Sequence, residues 1–218
     1  MSDNRTAPFE HCPLCASIEV VDYHRDQRRC YRQCRDCQLV FVPSAFHLSS
    51  DEEKTEYDLH ENDAQNAGYR GFLNRLAQPL LERLEPQSQG LDFGSGPGPC
   101  LSVMLEEQGH SVALYDLFYA NYPTLLESQY DFITATEVVE HLANPLVELD
   151  RLWGLLRSGG QLAMMTKLVA SPEKFANWHY KSDPTHISFF STATFEYLGE
   201  QWGSAPQFIG ADVIIFQK

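Results

Sequence analysis

Five of the six cysteines lie between positions 12 and 37, and four of them form two CxxC pairs. The pairs Cys12/Cys15 and Cys34/Cys37 are separated by 18 residues. One CxxC turn presents two thiolates to the same ion, and tetrahedral zinc binds four thiolates well. The spacing therefore predicts a zinc site of these four cysteines in a zinc ribbon, with Cys30 as a buried spare thiol. The alternative is two unrelated turns with free thiols.

A glycine-rich turn follows a short apolar run at residues 91–93. The stretch LDFGSGPGPC places Gly94, Gly96 and Gly98 at every second position behind an acid, Asp92. A dinucleotide fingerprint requires GxGxxG, and that pattern fails because the sixth position is proline or leucine, depending on the starting glycine. A strand, glycine turn and helix in this order is still the natural cradle for a nucleotide-like ligand. A structural turn without a ligand is the alternative.

The segment EVVEH contains three side chains that could bind a metal ion. Glu137, Glu140 and His141 stand at i, i+3 and i+4, so a helix would place them on one face. Carboxylate and imidazole ligands together suit Mg²⁺, Mn²⁺ or Fe²⁺. The alternative is that the acids favour a helix dipole while His141 packs against a bound cofactor.

Aromatic residues and two histidines are concentrated in FANWHYKSDPTHISFFS, residues 175–191. His179 and His186 are candidate bases because an imidazole can take up a proton near neutral pH. Each histidine taken singly is more often structural than catalytic. The rings could stack on a flat ligand, or several of them could belong to the hydrophobic core.

Strands alternate with helices from about residue 67 onward, which predicts a parallel, doubly wound α/β sheet. A polar, acidic connector with a short helix is expected at residues 43–66. Predicted helices cover 67–84 with a kink near Pro79, 99–109, 144–157 and 190–202. Predicted strands cover 18–23 and 39–42 in the ribbon, and 91–93, 111–116, 130–136, 161–166, 207–210 and 212–217 beyond it.

From Asp92 through the GxGxG turn, the chain resembles the class I S-adenosylmethionine-dependent methyltransferases. The resemblance covers roughly residues 67–218. YDFITATEVVEHLANP and LLRSGGQLAMMT match segments of the branch that includes the ubiquinone-pathway O-methyltransferases, and zinc-ribbon N-termini are familiar on such enzymes. The resemblance implies a Rossmann-like, mostly parallel sheet with a small N-terminal zinc-ribbon subdomain. We expect the ribbon at residues 1–45 and the methyltransferase domain at 46–218.

The resemblance also implies which residues hold the cofactor. In the family the glycine turn approaches the amino-acid end and ribose, and an acid ending the second strand, here Asp116, binds the ribose hydroxyls, while Asp92 fixes the loop. The implied cofactor-binding residues are Asp92, Gly94, Ser95, Gly96, Gly98, Asp116, Leu117, Thr136 and Glu137. Only 13 residues separate Asp116 from Tyr130, where the family normally fits an adenine-binding acid. Glu127 is the nearest candidate for that role.

The resembling branch further implies the chemistry at the acceptor end. Methyltransferases acting on small-RNA terminal ribose use ExxEH plus a later histidine to bind a divalent ion, and the later histidine here is His186. Such an ion, Mg²⁺ or Mn²⁺, would be bound by Glu137, Glu140, His141 and His186. The aromatic segment 175–191 is expected to line the substrate pocket. The implied catalytic residues are His141, His186, Glu137 and His179.

The expected reaction is methyl transfer from S-adenosylmethionine to a small-molecule or protein-borne nucleophile, with oxygen ahead of nitrogen and carbon. A rival enzyme class is an NAD-dependent dehydrogenase, which the failed dinucleotide fingerprint disfavours. A rival of another class is a non-catalytic S-adenosylmethionine-binding module that is recruited through its zinc ribbon.

The composition narrows the partners. The formal net charge of −14 comes entirely from residues 41–218, and so acidic a chain repels phosphate backbones, which argues against nucleic acid. No apolar run approaches the roughly 18 residues of a membrane span. The polar N-terminus lacks an apolar signal core, so we expect the cytoplasm. The oligomeric state is left open.

Removing residues 1–42 is expected to leave cofactor binding intact, because the glycine turn and Asp116 lie beyond them.

Overall fold

The computed structural model describes residues 11–59 and 63–218. Residues 1–10 of the predicted ribbon and 60–62 of the predicted connector lie outside this range. The strands are β1 (Val20–Arg25), β2 (Cys30–Cys34), β3 (Val40–Phe41), β4 (Gln89–Phe93), β5 (Ser111–Tyr115), β6 (Tyr130–Thr136), β7 (Leu156–Met165), β8 (Ser188–Phe189), β9 (Gln207–Ile209) and β10 (Val213–Gln217). The helices are α1 (Ser50–Tyr57), α2 (Ala67–Leu81), α3 (Cys100–Glu106), α4 (Pro145–Leu155), α5 (Pro172–Ala176) and α6 (Thr192–Trp202).

The larger sheet has the strand order β5-β4-β6-β7-β10-β9. Neighbouring strands from β5 to β7 run parallel, whereas β10 is antiparallel to both β7 and β9. The chain leaves β4 for β5 on one side and returns to β6 on the other, so the topological switch point lies beside β4. The predicted doubly wound, mostly parallel fold is confirmed.

Helices cover both faces of this sheet, because side chains alternate between the faces along each strand. On β6, Phe132 is buried on the side of α2 and α3, and the adjacent Ile133 is buried in the cluster that includes α4 and α6. Trp153 of α4 stacks on Trp202 of α6 with ring centroids 4.8 Å apart. The sheet is thus a buried central layer whose carboxyl-terminal edge remains open for a ligand.

The N-terminal ribbon is joined to the rest of the chain by a second sheet. Its order is β1-β2-β3-β8, and β8 pairs antiparallel with β3 although about 150 residues separate them. Leu39 and Phe41 of the ribbon are buried in one cluster with Phe190 and Phe195. The ribbon therefore shares both a sheet and a core with the second unit. The division at residue 45 stays a prediction.

Three elements differ from what the sequence indicated. The segment EVVEH does not form a helix: Glu137 has a left-handed backbone (φ 53°), and Val139–His141 make a single 3₁₀ turn. The helix expected to end near residue 157 ends at Leu155, and β7 begins at Leu156. The strand β2 was not predicted, because CYRQC mixes polar and apolar residues without a strand signal.

The aromatic segment 175–191 also differs from expectation. Phe175, Tyr180 and Phe189 are buried in a cluster with Tyr31 and Val40 of the ribbon. The ribbon sheet needs an apolar cover, and these rings supply it. These three rings therefore belong to the hydrophobic core, which is the alternative that the sequence left open, and Asp183 and His186 are the residues of this segment that line the cavity. Over the ranges that the structure covers, none of the helices is long and apolar enough to cross a membrane.

Candidate active site

A cavity of about 640 Å³ opens where β4, β5 and β6 end, beside the switch point. Its volume lies in the usual range for small-ligand sites. All of the residues predicted to bind the cofactor line it: Asp92, Gly94, Ser95, Gly96, Gly98, Asp116, Leu117, Thr136 and Glu137. The residues that the sequence analysis assigned to one cofactor site therefore do lie around one cavity, and their individual roles remain predictions. Glu127, the candidate for contacting adenine, lies in the 3₁₀ turn Pro123–Glu127 and does not line this cavity.

The glycine turn keeps the backbone close to the cavity. Gly94 and Gly96 have φ values of 72° and 64°, a region that favours glycine. A Cβ on Gly94 would lie 2.5 Å from Cγ2 of Val138. The Gly94 amide donates to the carbonyl of Tyr115 at 2.8 Å, so the turn is tied to the end of β5. Only glycine at 94 combines this backbone conformation with this close contact.

Asp116 is the residue that organises the cavity wall. Its Oδ2 accepts the Gly96 amide at 2.9 Å, and its Oδ1 accepts the amides of Phe118 and Tyr119 at 2.8 and 3.1 Å. A carboxylate offers about four acceptor positions. Three are used by the backbone here, which leaves about one for a ligand hydroxyl.

Asp92 has a different environment from the one the family resemblance implied. It is buried and accepts a hydrogen bond from Thr134 Oγ1 on β6 at 2.7 Å. Burial raises the pKa of Asp92 from 3.8 to about 6. The Gly96 amide donates to Asp116 and the Gly94 amide to the Tyr115 carbonyl, so the implied role of Asp92 as the loop-fixing acid stays a prediction.

Two histidines meet at the other end of the cavity. The rings of His141 and His186 both line it, with centroids 4.7 Å apart. Nδ1 of His141 lies 3.2 Å from the Thr185 carbonyl, and Nδ1 of His186 lies 2.7 Å from the Tyr180 carbonyl. Because a carbonyl can only accept, each Nδ1 carries the proton when the ring is neutral. In each neutral ring Nε2 is then the nitrogen without a proton, and that of His186 lies 3.7 Å from Asp183 Oδ2.

Behind the histidines lies a buried group of oxygen atoms. The Tyr180 hydroxyl contacts Glu140 Oε1 and lies 3.2 Å from Glu137 Oε2. Glu140 Oε2 and Glu137 Oε1 are buried without a hydrogen-bond partner among the described residues. Burial, and then the charge of Glu137, raise the pKa of Glu140. Tyr180 lies in the segment that was expected to line the substrate pocket, but no sequence pattern indicated its contact with these two glutamates.

Three of the four predicted divalent-ion ligands converge. Ligand atoms of Glu140, His141 and His186 all lie within 4.8 Å of one another, whereas Glu137 is outside this group. An ion held at about 2.0–2.2 Å keeps its ligand atoms within about 4.4 Å of one another, so a small rotamer change suffices. The buried Glu140 oxygen without a hydrogen-bond partner among the described residues, together with the two imidazole rings beside it, fits a small cation.

His179 does not join the site. It is exposed on the 3₁₀ turn His179–Ser182, and its Nε2 lies 3.0 Å from Lys167 Nζ. Instead α1 contributes a wall that the sequence did not assign. Tyr57 packs against His141 and Phe118 with centroid distances of 5.2 and 5.7 Å. The connector's acidic composition predicted the short helix and gave no sign of this contact.

The four ribbon cysteines form a compact cluster. The Sγ atoms of Cys12 and Cys37, and of Cys15 and Cys34, are 3.4 Å apart, and all four lie within 4.8 Å of one another. A tetrahedral zinc site with bonds of about 2.3 Å has sulfur separations of about 3.8 Å. The hydrogen bond from Cys37 lowers the pKa of Cys12, whereas the pKa of Cys37 itself is raised. Four sulfur atoms this close together need only small shifts to surround a tetrahedral ion, so the donor set fits zinc.

The sequence is similar to those of known methyltransferases. Residues 64–204 match a family described as a methyltransferase domain. A ubiquinone biosynthesis O-methyltransferase from Ruegeria sp. (strain TM1040) is 27% identical over 146 residues, which is 64% of this chain and 55% of that enzyme. The chain therefore matches about half the length of this relative.

Solved structures agree on the fold. One is the 1,6-didemethyltoxoflavin-N1-methyltransferase of Burkholderia thailandensis with bound 1,6-didemethyltoxoflavin and S-adenosylhomocysteine. It is 15% identical with a TM-score of 0.56, covering 90% of this chain and 98% of its own. A SAM-dependent methyltransferase from Archaeoglobus fulgidus is 15% identical with a TM-score of 0.53, covering 68% of this chain and 94% of its own. The shared architecture extends over most of the described residues.

Proposed function

Because the chain belongs to the methyltransferase domain family, we propose that it transfers the methyl group of S-adenosylmethionine to a small-molecule or protein-borne acceptor, with oxygen as the receiving atom. The observation that carries the proposal is the glycine turn bound to Asp116 at the switch point of the sheet. The ubiquinone biosynthesis relative, an O-methyltransferase by name, supports oxygen.

The residues of the cavity divide into two ends. Gly94 and Gly96 let the backbone approach the cofactor, and the remaining acceptor position of Asp116 suits a ribose hydroxyl. When bound, S-adenosylmethionine supplies an electrophilic methyl group on a sulfonium. The chain's contribution to such a displacement is mainly to hold the two reactants in line.

The acceptor end offers a base for a hydroxyl. His141 and His186 each hold a proton on Nδ1 through a backbone carbonyl, so Nε2 of either ring can accept the acceptor's proton. Burial lowers the pKa of His186, which keeps this ring neutral at neutral pH. Because the two rings lie side by side in one wall of the cavity, the proton of the substrate hydroxyl can be transferred to one of them.

The same end also suits a divalent cation, and as the alternative to a histidine base we propose Mg²⁺ or Mn²⁺ at Glu140, His141 and His186, because a nitrogen that binds the cation cannot also accept the proton. The buried, unpartnered oxygen of Glu140 supports this assignment. A cation there would lower the pKa of a nearby hydroxyl and compensate for the buried carboxylates. Tyr180, whose hydroxyl contacts Glu140, would then orient the ligating carboxylate, as outer hydrogen-bond partners of metal ligands do.

In the ribbon we propose one structural zinc bound by Cys12, Cys15, Cys34 and Cys37. Reduced thiols in this number also support the cytoplasm as the compartment. The net charge of −14 supports a small-molecule or protein-borne acceptor over nucleic acid.

Calorimetry on one sample tests the cofactor. We expect S-adenosylmethionine and S-adenosylhomocysteine to bind with one site per chain, and NAD⁺ to give no heat of binding. Binding of NAD⁺ alone would favour the dehydrogenase. Binding of S-adenosylmethionine without turnover on any acceptor would favour the non-catalytic module.

Matched acceptors test the receiving atom. A phenol and the aniline of the same ring differ only in the nucleophile, so release of S-adenosylhomocysteine with each can be compared directly. We expect the phenol to be the better acceptor. Faster release with the aniline would overturn the choice of oxygen.

A further inference from the structure

Two arginines at the tip of the ribbon hairpin hold one segment of the second unit. Nη2 of Arg29 donates to the carbonyls of Lys181 and Asp183 at 2.7 and 2.8 Å, and Nη1 donates to the carbonyl of Pro184 at 3.1 Å. Arg28 Nη1 donates to the carbonyl of Ser182 at 3.2 Å. Four consecutive carbonyls are therefore held by the turn that joins β1 to β2. Arg29 is only 7% exposed, so its contacts are shielded from water.

The guanidinium of Arg29 is itself fixed within the ribbon. Its Nε donates to the Tyr31 hydroxyl at 3.0 Å, and that hydroxyl donates to Asp26 Oδ2 at 2.9 Å. The other oxygen of Asp26 accepts the amides of Arg28 and Arg29 at 2.9 and 3.0 Å. Although burial acts in the opposite direction, these hydrogen bonds and that of Lys181 lower the pKa of Asp26. Asp26 is therefore charged and offsets the buried Arg29.

The segment held in this way carries the acceptor end of the cavity. Asp183 and His186 line the cavity. The Thr185 carbonyl lies against Nδ1 of His141, and the Thr185 amide donates to Asp183 Oδ1 at 2.8 Å. Both histidines thus depend on backbone carbonyls in or next to residues 181–185 for their protonated Nδ1.

We propose that Arg29 is a positioning residue for the acceptor end. It acts through the backbone of residues 181–184 and thereby fixes the rings and tautomers of His141 and His186. The use of these histidines in methyl transfer rests on the proposed function, whereas the positioning itself does not. A guanidinium presents five N–H donors in a fixed plane that spans neighbouring carbonyls, whereas the three donors of an ammonium radiate from one nitrogen atom and cannot reproduce that geometry. The ribbon is then a scaffold for the acceptor end, and the zinc cluster supports the hairpin that carries Arg29.

The test compares the variants Arg29→Ala and Arg29→Lys with Arg32→Ala in the zinc-loaded, full-length chain. Arg32 lies three residues along and pairs with Asp22 at 3.0 Å, so it is a matched control. Nitrogen-15 NMR of the imidazole rings gives the tautomer of each histidine directly. In the parent and in Arg32→Ala we expect the Nδ1-protonated form of His141 and His186. In Arg29→Ala we expect the tautomer mixture of an unconstrained ring.

Two further measurements separate positioning from loss of fold. Amide exchange in residues 181–187 should speed up by about tenfold or more in Arg29→Ala, while exchange in the glycine turn stays unchanged. Affinity for S-adenosylhomocysteine should stay within about twofold of the parent, since those contacts lie at the other end of the cavity. Millimolar ethylguanidinium should restore the Nδ1 signals in Arg29→Ala, and sodium chloride at equal ionic strength should not. If Arg29→Ala does not fold, Arg29→Lys decides by the same signals.

Unchanged tautomers and unchanged exchange in a folded Arg29 variant would overturn the proposal. If the parent does not bind S-adenosylhomocysteine, the proposed function fails, while the tautomer and exchange results still decide the role of Arg29.

Discussion

Asp116 joins the glycine turn to the cavity, so its loss affects the cofactor in two ways. Asp116→Ala removes the acceptor for the Gly96, Phe118 and Tyr119 amides as well as the position left for a ribose hydroxyl. Hydrogen bonds to a charged acceptor contribute about 1.5–3 kcal/mol each. We expect affinity for S-adenosylhomocysteine to fall by about 10- to 100-fold in calorimetry.

Asp150→Ala is the matched control for that experiment. Asp150 is exposed, accepts from Trp202 Nε1 at 2.8 Å and does not line the cavity. Its variant should bind as the parent does. Equal affinity in the Asp116 variant would contradict the ribose assignment.

Asp92 gives a prediction on pH. Its pKa of about 6 in the folded chain lies above the ordinary 3.8, so the folded state holds this proton more tightly. The stability contributed by that proton is complete below about pH 4 and is lost as pH rises through about 6. Asp92→Asn has no titrating carboxyl at this position, so its stability does not fall in this way as the pH rises. Its unfolding free energy relative to the parent should therefore rise by about 1–3 kcal/mol between pH 4 and pH 7.5, measured by urea denaturation.

A difference between Asp92→Asn and the parent that does not change with pH would refute this prediction. Thr134→Val gives a comparison, since it removes the hydrogen bond that Asp92 accepts and leaves the carboxyl in place. It should destabilise the chain at every pH, and more strongly above pH 6.

At this scale the sequence predicted which residues line the cavity, because the glycines and Asp116 follow predicted strands. It did not predict that Asp116 accepts the Gly96 amide, since Asp92 is also an acid near a strand end. Arg29 could not be found either, because its partners lie more than 150 residues away. Contacts of that range leave no periodic pattern.

At the scale of elements, the turn after β4 depends on a backbone that only glycine adopts easily. Gly94→Ala places a Cβ 2.5 Å from Val138 at a φ of 72°. A left-handed conformation costs a non-glycine residue about 1–2 kcal/mol before any steric overlap. We expect a loss of at least about 2 kcal/mol of unfolding free energy, and loss of S-adenosylhomocysteine binding.

Gly71→Ala is the control of opposite sign. Gly71 lies on the exposed side of α2, and a Cβ there would meet nothing within 4 Å. Alanine in a helix interior is favoured over glycine by about 0.5–1 kcal/mol. Its thermal midpoint should rise slightly, with binding unchanged, and a similar effect of the two substitutions would contradict the turn argument.

Elements with strong local patterns were predicted well, and those set by distant contacts were not. The strand Tyr130–Thr136 and the helix before Trp202 were placed within a few residues, because an apolar run and a helical period marked them. The helix expected for EVVEH does not form, because Glu137 has a left-handed backbone conformation that turns the chain as it leaves the strand. The short β8 pairs with β3, which no local pattern indicates.

For the whole molecule, zinc content is the first measurement. We expect about one zinc per chain, and substitution of Cys34 by serine should lower both the zinc content and the thermal midpoint. Because the cluster is buried in the shared core, the midpoint should fall by at least about 5 °C. Cys100→Ser, which alters a buried cysteine of α3, should leave the zinc content unchanged. A full complement of zinc in the Cys34 variant would reject the four-cysteine site.

Removal of residues 1–42 now has a more specific expected outcome. The glycine turn and Asp116 lie beyond the deletion, so the expected binding of the cofactor stands. The deletion also uncovers Phe189 and Phe190 and removes the arginines that hold residues 181–184. We expect the truncated chain to unfold at lower urea concentration and to show rapid amide exchange in that segment. Exchange equal to that of the full chain would contradict the shared-core description.

The pairing of β3 with β8 can form only late in the synthesis of the chain. Ribosomes produce the ribbon first, and about 150 residues must follow before Ser188 can reach β3. At about 5–20 residues per second, β3 waits roughly 7–30 s as an unpaired edge. An open edge of apolar strand is prone to wrong pairing. The nascent ribbon therefore has a period of exposure in which early zinc uptake, slow decoding or a bound chaperone would decide how much polypeptide reaches the native pairing.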